Sequence, residues 1–359
     1  MEVKKERLVS LDVMRGLTVA CMILVNNGAG PDTFAQLQHS KWHGLTFCDL
    51  VFPFFLFMVG VSIYISFNKI KFAYSPDVVK KIVKRTVMLF AIGLLLHMWD
   101  MATKGNWNLV SDLRIWGVLQ RIALCYGIVS FMSLRLSWKS MLIVAVCLLV
   151  GYSFLLPFFH GYDLSDENII AVVDRAVFGE AHLYRKSPID PEGLLSTIPS
   201  IGHTIIGFSF GQILMSDKPL KDKLKDIRME WTSFAFISIG LIAEIPLNKR
   251  VWSTSYVILT CTLAMLVMYV LLIIIDKWGK KGWCKIFQAF GMNAFFIYVV
   301  SEVLAPALSH WGLKMPIYEA IHSVVSNTYW ASLTYALLFV LVMALIAWVL
   351  WKKKIVIKI

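Results

Sequence analysis

The chain has 359 residues, of which 58% are hydrophobic and only 16% are charged, and its mean hydropathy is +0.68. A soluble protein of this length exposes more polar surface than such a composition supplies, so the soluble classes are excluded. The net charge of +12 comes from basic residues that lie between apolar segments. Nothing in this pattern indicates a partner that is a nucleic acid.

Ten apolar segments follow one another along the chain, separated by short polar breaks such as FNKIK and SDKPLKDK. Segments of this length cross a hydrocarbon layer of about 30 Å as helices. The sequence therefore predicts an all-α polytopic membrane protein, a single domain over residues 1–359 built as a bundle of about ten transmembrane helices. The predicted spans are 13–30, 49–67, 82–99, 115–134, 140–158, 195–214, 231–247, 253–275, 286–304 and 330–351.

Lys and Arg are distributed unequally between the two sides of these spans. With the N-terminus inside, the inner segments hold 25 of the 35 basic residues and the outer segments hold nine. Because basic residues accumulate on the cytoplasmic side, both termini are expected there. The two long outer segments, 31–48 and 159–194, are then the expected places for extracytoplasmic chemistry.

Charged residues inside the spans are costly and suggest either function or helix pairing. Asp12 and Arg15 are three residues apart and share a helix face, so they either form an anchoring pair or present Arg15 to an anionic cytosolic ligand. Arg121 lies too deep to reach water easily, and structural pairing and ligand contact are both open. The GFSFG sequence at 207–211 matches a nucleophile elbow by letters alone, but its place in an apolar helix favours close helix packing.

The stretch HSKWHGLTFCDLVF, beginning at His39, places titratable groups beside a predicted span. If it were helical, His39 and His43 would share a face. Asn26 and Asn27 end the first predicted span, and Asp49 begins the second. A histidine near an amide and a carboxylate can act as a general base or a nucleophile, with the amide steadying an oxyanion.

Several longer segments resemble the heparan-α-glucosaminide N-acetyltransferase family and its bacterial relatives. They run in order from residue 7 to about 302, which makes the resemblance much more specific than any single motif. The matching segments are LVSLDVMRGLTVACMILVNNGAG, LQHSKWHGLTFCDLVFPFFLFMVG, RIWGVLQRIALCY, IDPEGLLSTIPSIG, PLNKRVWSTSYVILT and FGMNAFFIYVVSE.

The resemblance implies transfer of an acetyl group from cytosolic acetyl-CoA to the amine of a glucosamine-type sugar or oligosaccharide on the far side of the membrane. In a bacterial relative this membrane is the cytoplasmic (inner) membrane. The family's active histidine falls on His39 and its important asparagine on Asn26. Two routes stay open, in which His39 either accepts the acetyl group covalently or deprotonates the sugar amine.

The remaining site residues are assigned from their positions. Those expected to bind the sugar are Asp49, Trp42, Asn27, Asp190 and Glu192. Those expected to bind acetyl-CoA are Arg15, Arg121, Gln120 and Asn293. No histidine or cysteine spacing indicates a metal site, so none is expected.

Two rival functions are also compatible with the pattern. A chain with ten spans and polar residues within them also suits a carrier that moves amino sugars or N-acetylglucosamine without chemistry. The motifs equally permit an acyltransferase that acts on a lipid-linked or other hydroxyl acceptor. The sequence leaves open whether the chain forms a homodimer.

Overall fold

The computed structural model describes residues 8–184 and 187–357, and within these ranges it contains helices and connections but no strands. Thirteen α-helices occur in this part of the chain. Their bounds are α1 Val9–Asn26, α2 Phe47–Asn68, α3 Pro76–Thr103, α4 Val118–Ser133, α5 Trp138–Phe158, α6 Ile169–Phe178, α7 Thr197–Met215, α8 Leu220–Glu244, α9 Thr254–Leu271, α10 Cys284–Met292, α11 Ala294–His310, α12 Lys314–Val324 and α13 Thr328–Lys352.

Seven of these helices are long and apolar enough to cross a membrane, α9 being counted with its π-helical extension to Lys277. They are α1, α2, α3, α5, α7, α9 and α13, and the pair α10 and α11 supplies an eighth if it forms one broken span. The predicted spans 115–134 and 231–247 correspond to α4, which has only 16 residues, and to α8, whose first half is charged. A helical polytopic membrane protein is confirmed, whereas the count of ten spans stays a prediction.

The first and ninth predicted spans differ from the helices that form. Helix α1 ends at Asn26, because the Asn27 side chain bonds back to the Ile23 carbonyl oxygen at 2.7 Å and occupies an acceptor of the last turn. The ninth span is not straight, since α10 and α11 meet at 81° on either side of Asn293. An apolar pattern reports the length of a buried segment and carries no information about such a bend.

Glycines allow α2 and α7 to pack backbone against backbone. A Cβ atom on Gly207 would lie 2.2 Å from the Phe57 carbonyl oxygen, and one on Gly60 would lie 2.0 Å from the Thr204 carbonyl oxygen. No side chain fits at either distance. The helix-packing interpretation of GFSFG is therefore confirmed, and α2 is fixed in place against α7.

The bundle has two chemically different ends. Hydrogen bonds connect segment 27–46 to the segments that follow α5 and α8, through Trp42 with Tyr162 and His39 with Lys249. This end is called the histidine end below. The opposite end, where α1 begins and α2 ends, carries the short Lys-rich connections and is called the basic end.

Candidate functional site

Asp49 connects a helix terminus to the site at the histidine end. It is the third residue of α2, and with Thr46 it forms a capping box. Its Oδ2 atom accepts hydrogen bonds from the Thr46 amide at 3.2 Å, the Thr46 hydroxyl at 3.0 Å and the Ser40 amide at 3.0 Å. Asp49 is completely buried, and these bonds leave its Oδ1 atom directed at His39.

His39 lies in an extended segment after a short 3₁₀ turn, so the helical arrangement considered for residues 39–43 does not form. Its Nδ1 atom is 2.8 Å from Asp49 Oδ1. Because an ionised carboxylate only accepts hydrogen bonds, the neutral form of this imidazole carries its proton on Nδ1 and keeps the lone pair on Nε2. The side chain is 55% exposed, so a reactant can approach the ring.

Lys249 is the residue of this site that sequence analysis missed. Its Nζ atom lies 3.0 Å from Nδ1 and 3.3 Å from Nε2 of His39, and 3.6 Å from Asp49 Oδ1. It comes from the turn between α8 and α9, which Asn248 shapes by accepting the Arg250 and Val251 amides. The PLNKRVW segment that carried part of the resemblance contains this lysine, and that was the available signal.

Two further contacts fold the loop around His39 into place. The Trp42 indole donates to the Tyr162 carbonyl oxygen at 2.8 Å, and the Tyr256 hydroxyl donates to the Asp49 carbonyl oxygen at 2.6 Å. Trp42 thereby connects segment 31–48 to segment 159–194, the two segments that the sequence predicts to lie outside. Its contact with a sugar stays a prediction.

The predicted asparagines make their described hydrogen bonds elsewhere. Asn26 Nδ2 is 3.4 Å from Glu302 Oε1 in α11, and Asn27 bonds within α1. Neither bond reaches His39. The catalytic role of Asn26 and the sugar-binding role of Asn27 therefore stay predictions.

Asp190 and Glu192 are buried against Arg114. The Arg114 guanidinium binds Asp190 through two hydrogen bonds of 3.0 and 2.5 Å and Glu192 through one of 2.7 Å. Burial opposes ionisation of Glu192, but Arg114 and then Arg121 outweigh it and hold the pKa of this carboxyl below its usual value. The described contacts make these acids an ion-pair network, and a sugar contact stays a prediction.

Arg121 and Gln120 lie in the first turn of α4, away from the basic end. Arg121 is fully buried, donates to the Gly193 carbonyl oxygen at 3.1 Å and to the Ser196 hydroxyl, and lies over the Trp252 ring. These contacts match the structural-pairing alternative raised for Arg121. The assignment of both residues to acetyl-CoA stays a prediction that their positions do not favour.

A cavity of about 400 Å³ opens at the basic end, between α1, α2, α3 and the bend at Asn293. Arg15 and Arg85 both line it. Arg15 donates to Ser62 at 3.1 Å and lies 3.7 Å from Asp12, and Arg85 lies over the Tyr126 ring. Asn293 also lines the cavity, although its amide is bonded to the backbone of Ile355 and Ile357 in the C-terminal tail. The sequence assigned Arg15 and Asn293 to acetyl-CoA, which stays a prediction, and did not select Arg85.

Residues 7–243 match the family described as heparan-alpha-glucosaminide N-acetyltransferase, catalytic. The chain belongs to this family. It is 30% identical to the heparan-alpha-glucosaminide N-acetyltransferase of Homo sapiens over an alignment that covers 97% of this chain and 59% of that protein. The corresponding protein of Mus musculus is 29% identical, with 97% and 60% covered.

The chain thus spans about three fifths of the length of the curated relatives it matches. The family match contains His39, Asp49 and Arg15 but stops before Lys249 and Asn293. Across the described ranges, no group of three or more His, Cys, Asp or Glu side chains is arranged to hold a metal ion.

Proposed function

We propose that this chain is a transmembrane N-acetyltransferase that transfers acetyl from acetyl-CoA to the amine of a glucosamine-type sugar. The observation that carries the proposal is the exposed His39 imidazole, whose Nδ1 atom is bonded to a buried carboxylate at 2.8 Å. This arrangement keeps a lone pair on Nε2, as both acyl transfer to histidine and proton abstraction require. Membership of the family supports the same reaction class.

The cavity at the basic end suits the anionic part of acetyl-CoA. Arg15 and Arg85 line it, and their guanidinium groups are of the kind that binds phosphate groups well. Helix α2 lines the cavity from Ser66 to Phe55, and Phe55 lies six residues after Asp49, or about 9 Å along the helix axis. The phosphates would then stay at the basic end while the narrower thioester arm extends along α2 toward His39.

In the covalent route, the Nε2 lone pair attacks the thioester carbonyl carbon, the C–S bond breaks and CoA leaves as the thiolate. The sugar amine then attacks the acetyl carbon, the C–Nε2 bond breaks to restore neutral His39, and the proton lost by the amine nitrogen passes to the CoA thiolate or to solvent. In the direct route, Nε2 accepts the proton of the amine while the amine nitrogen attacks the thioester carbonyl carbon; the C–S bond then breaks, and CoA leaves as the thiolate and takes up a proton from His39 or solvent. Asp49 orients the ring in both routes and offsets the positive charge that forms on it.

The proposed topology has ten crossings with both termini cytoplasmic, in the inner membrane of a bacterium. Hydrogen bonds that connect the loops at the histidine end, and the excess of basic residues at the other end, support this orientation. It brings acetyl-CoA in from the cytoplasm and keeps the sugar outside. Acetyl-CoA carries several negative charges that lipid does not dissolve, so only the acetyl group crosses.

The test gives purified protein labelled acetyl-CoA and glucosamine and follows labelled N-acetylglucosamine. Wild-type protein should form the product, and His39→Gln should not. His160→Gln is the matched control, because His160 forms a similar histidine–aspartate pair that is exposed to solvent. Sugar uptake into vesicles by both wild type and His39→Gln, with no acetylated product formed by the wild type, would refute the enzyme and favour a carrier.

A further inference from the structure

We infer that Lys249 is a catalytic residue of the proposed reaction, in which its ammonium group binds the oxygen that becomes negative when the thioester carbonyl is attacked. The inference rests on the proposed function and adds a residue beyond the stretch that the family model matches, since that match ends at residue 243. It is carried by the position of Nζ relative to the two ring nitrogens of His39.

The ammonium lies over the imidazole ring and not at its edge. A donor in line with the lone pair of one ring nitrogen is much farther from the other nitrogen, because the two lone pairs diverge. Nζ of Lys249 is nevertheless 3.0 Å from Nδ1 and 3.3 Å from Nε2 of His39. The position over the ring leaves the Nε2 lone pair free to reach a carbonyl carbon.

A reacting acyl group at Nε2 brings its oxygen within reach of this ammonium. The carbonyl oxygen is one bond beyond the carbon that Nε2 attacks, and Nζ is already 3.3 Å from Nε2. A positive donor fixed in a partly dehydrated site stabilises a developing oxyanion more than the same donor does in water. Lys249 meets this condition, because only 8% of its surface is exposed.

The surrounding charges favour this role over two others. The Asp49 carboxylate 3.6 Å from Nζ pairs with an ammonium, whereas a lysine that itself accepts the acetyl group must be neutral. The Cys48 sulfur is 3.2 Å from His39 Nδ1, but a thiol is a weak donor for an oxyanion. Lys249 is therefore the cationic donor that this group of contacts supplies.

The electron count is the same in both routes. As the nucleophile bonds to the carbonyl carbon, the C=O electron pair moves onto oxygen beside Lys249. It returns when the C–S bond breaks and CoA leaves as the thiolate. An oxyanion forms whether Nε2 or the sugar amine attacks, and the 3.3 Å separation of Nζ from Nε2 places it beside Lys249 in the covalent route, where the acyl carbon is bonded to Nε2.

The experiment measures kcat and the KM for acetyl-CoA in Lys249→Met, which preserves length but removes the charge. Loss of one oxyanion donor typically lowers kcat by about 10²- to 10³-fold. We expect a decrease of this order and a KM within about threefold of wild type in a protein that is still folded at the assay temperature, although loss of the ammonium beside buried Asp49 lowers its melting temperature. Lys249→Arg should recover at least about tenfold of the loss, since it restores a charged donor. Lys41→Met is the control, because Lys41 is an exposed lysine of the loop that carries His39.

Three outcomes separate the inference from the proposed function. Full activity of Lys249→Met in an active wild-type background overturns the inference alone, as does an equal fall for Lys249→Met and Lys249→Arg when both are folded at the assay temperature. An inactive wild type overturns the proposed function and the inference with it. If Lys249→Met does not fold, Lys249→Gln replaces it with the same expected loss of kcat.

Discussion

Replacing Asp49 by asparagine tests how the site prepares His39. The carboxylate binds three donors through Oδ2 and the His39 Nδ1–H through Oδ1. In Asp49→Asn the amide oxygen can keep the three donors, which turns the amide NH₂ toward His39. Nδ1 must then accept a hydrogen bond, the proton moves to Nε2, and the reactive lone pair is lost.

The size of the effect follows from this change of tautomer. An equivalent change in a Ser-His-Asp triad lowers kcat by about 10⁴-fold, and general base catalysis contributes about 10²- to 10⁴-fold. We expect kcat for acetyl transfer to fall by about 10³-fold, or about 4 kcal/mol. A hydrogen bond to a charged group contributes about 1 kcal/mol more to stability than a bond between neutral groups does. The three retained bonds become neutral in Asp49→Asn, so the unfolding free energy should fall by about 3 kcal/mol.

The assay measures labelled N-acetylglucosamine under saturating acetyl-CoA, together with thermal unfolding in detergent. Asp163→Asn is the matched control, because Asp163 pairs with His160 at 3.0 Å in an exposed loop, and it should change neither quantity. A kcat within threefold of wild type in Asp49→Asn would show that the Nδ1 contact does not determine the tautomer, and the reasoning would fail.

Four further predictions concern other parts of the chain. Arg15→Ala should weaken CoA binding about tenfold, since a charged hydrogen bond contributes about 1.5 kcal/mol or more. Arg121→Ala should lower the melting temperature and leave the Kd for CoA unchanged. Weaker CoA binding by an Arg121→Ala protein of normal stability would instead support the assignment of Arg121 to acetyl-CoA that was made from the sequence. Burial raises the pKa of the Asp174 carboxyl, outside the spans, to about 7. Because the folded state holds this proton to a higher pH than the unfolded state does, the stability it contributes is complete below about pH 4 and is lost as pH rises through 7. The melting temperature of Asp174→Asn should therefore fall less than that of wild type between pH 5 and pH 8, and parallel curves would contradict this. Gly207→Ala should lower the unfolding free energy by about 1–3 kcal/mol. Gly240→Ala is the control and should not destabilise the protein, because a Cβ atom there meets nothing within 4 Å. Equal melting temperatures for the two variants would argue against tight packing of α2 on α7.

The membrane class, the helical fold and the family could be predicted from the sequence because each depends on a local or additive property. Apolar segments long enough to span lipid must be helical, whatever they pack against. His39 and Asp49 were both selected from one short stretch, since chain proximity already limits their separation. The two side chains are in contact at 2.8 Å, and the catalytic role of His39 stays a prediction.

The tertiary structure alone decided which distant residues join that pair. Lys249 is 210 residues from His39 and reaches it only because the turn after α8 folds against the loop before α2. The packing of α4 likewise places Arg121 where it donates hydrogen bonds to Gly193 and Ser196. The bend at Asn293 brings the C-terminal tail beside Arg15 in the cavity. Hydropathy reports how well a segment dissolves in lipid. It does not report which buried charges face each other, because that depends on helix rotation and order in the bundle.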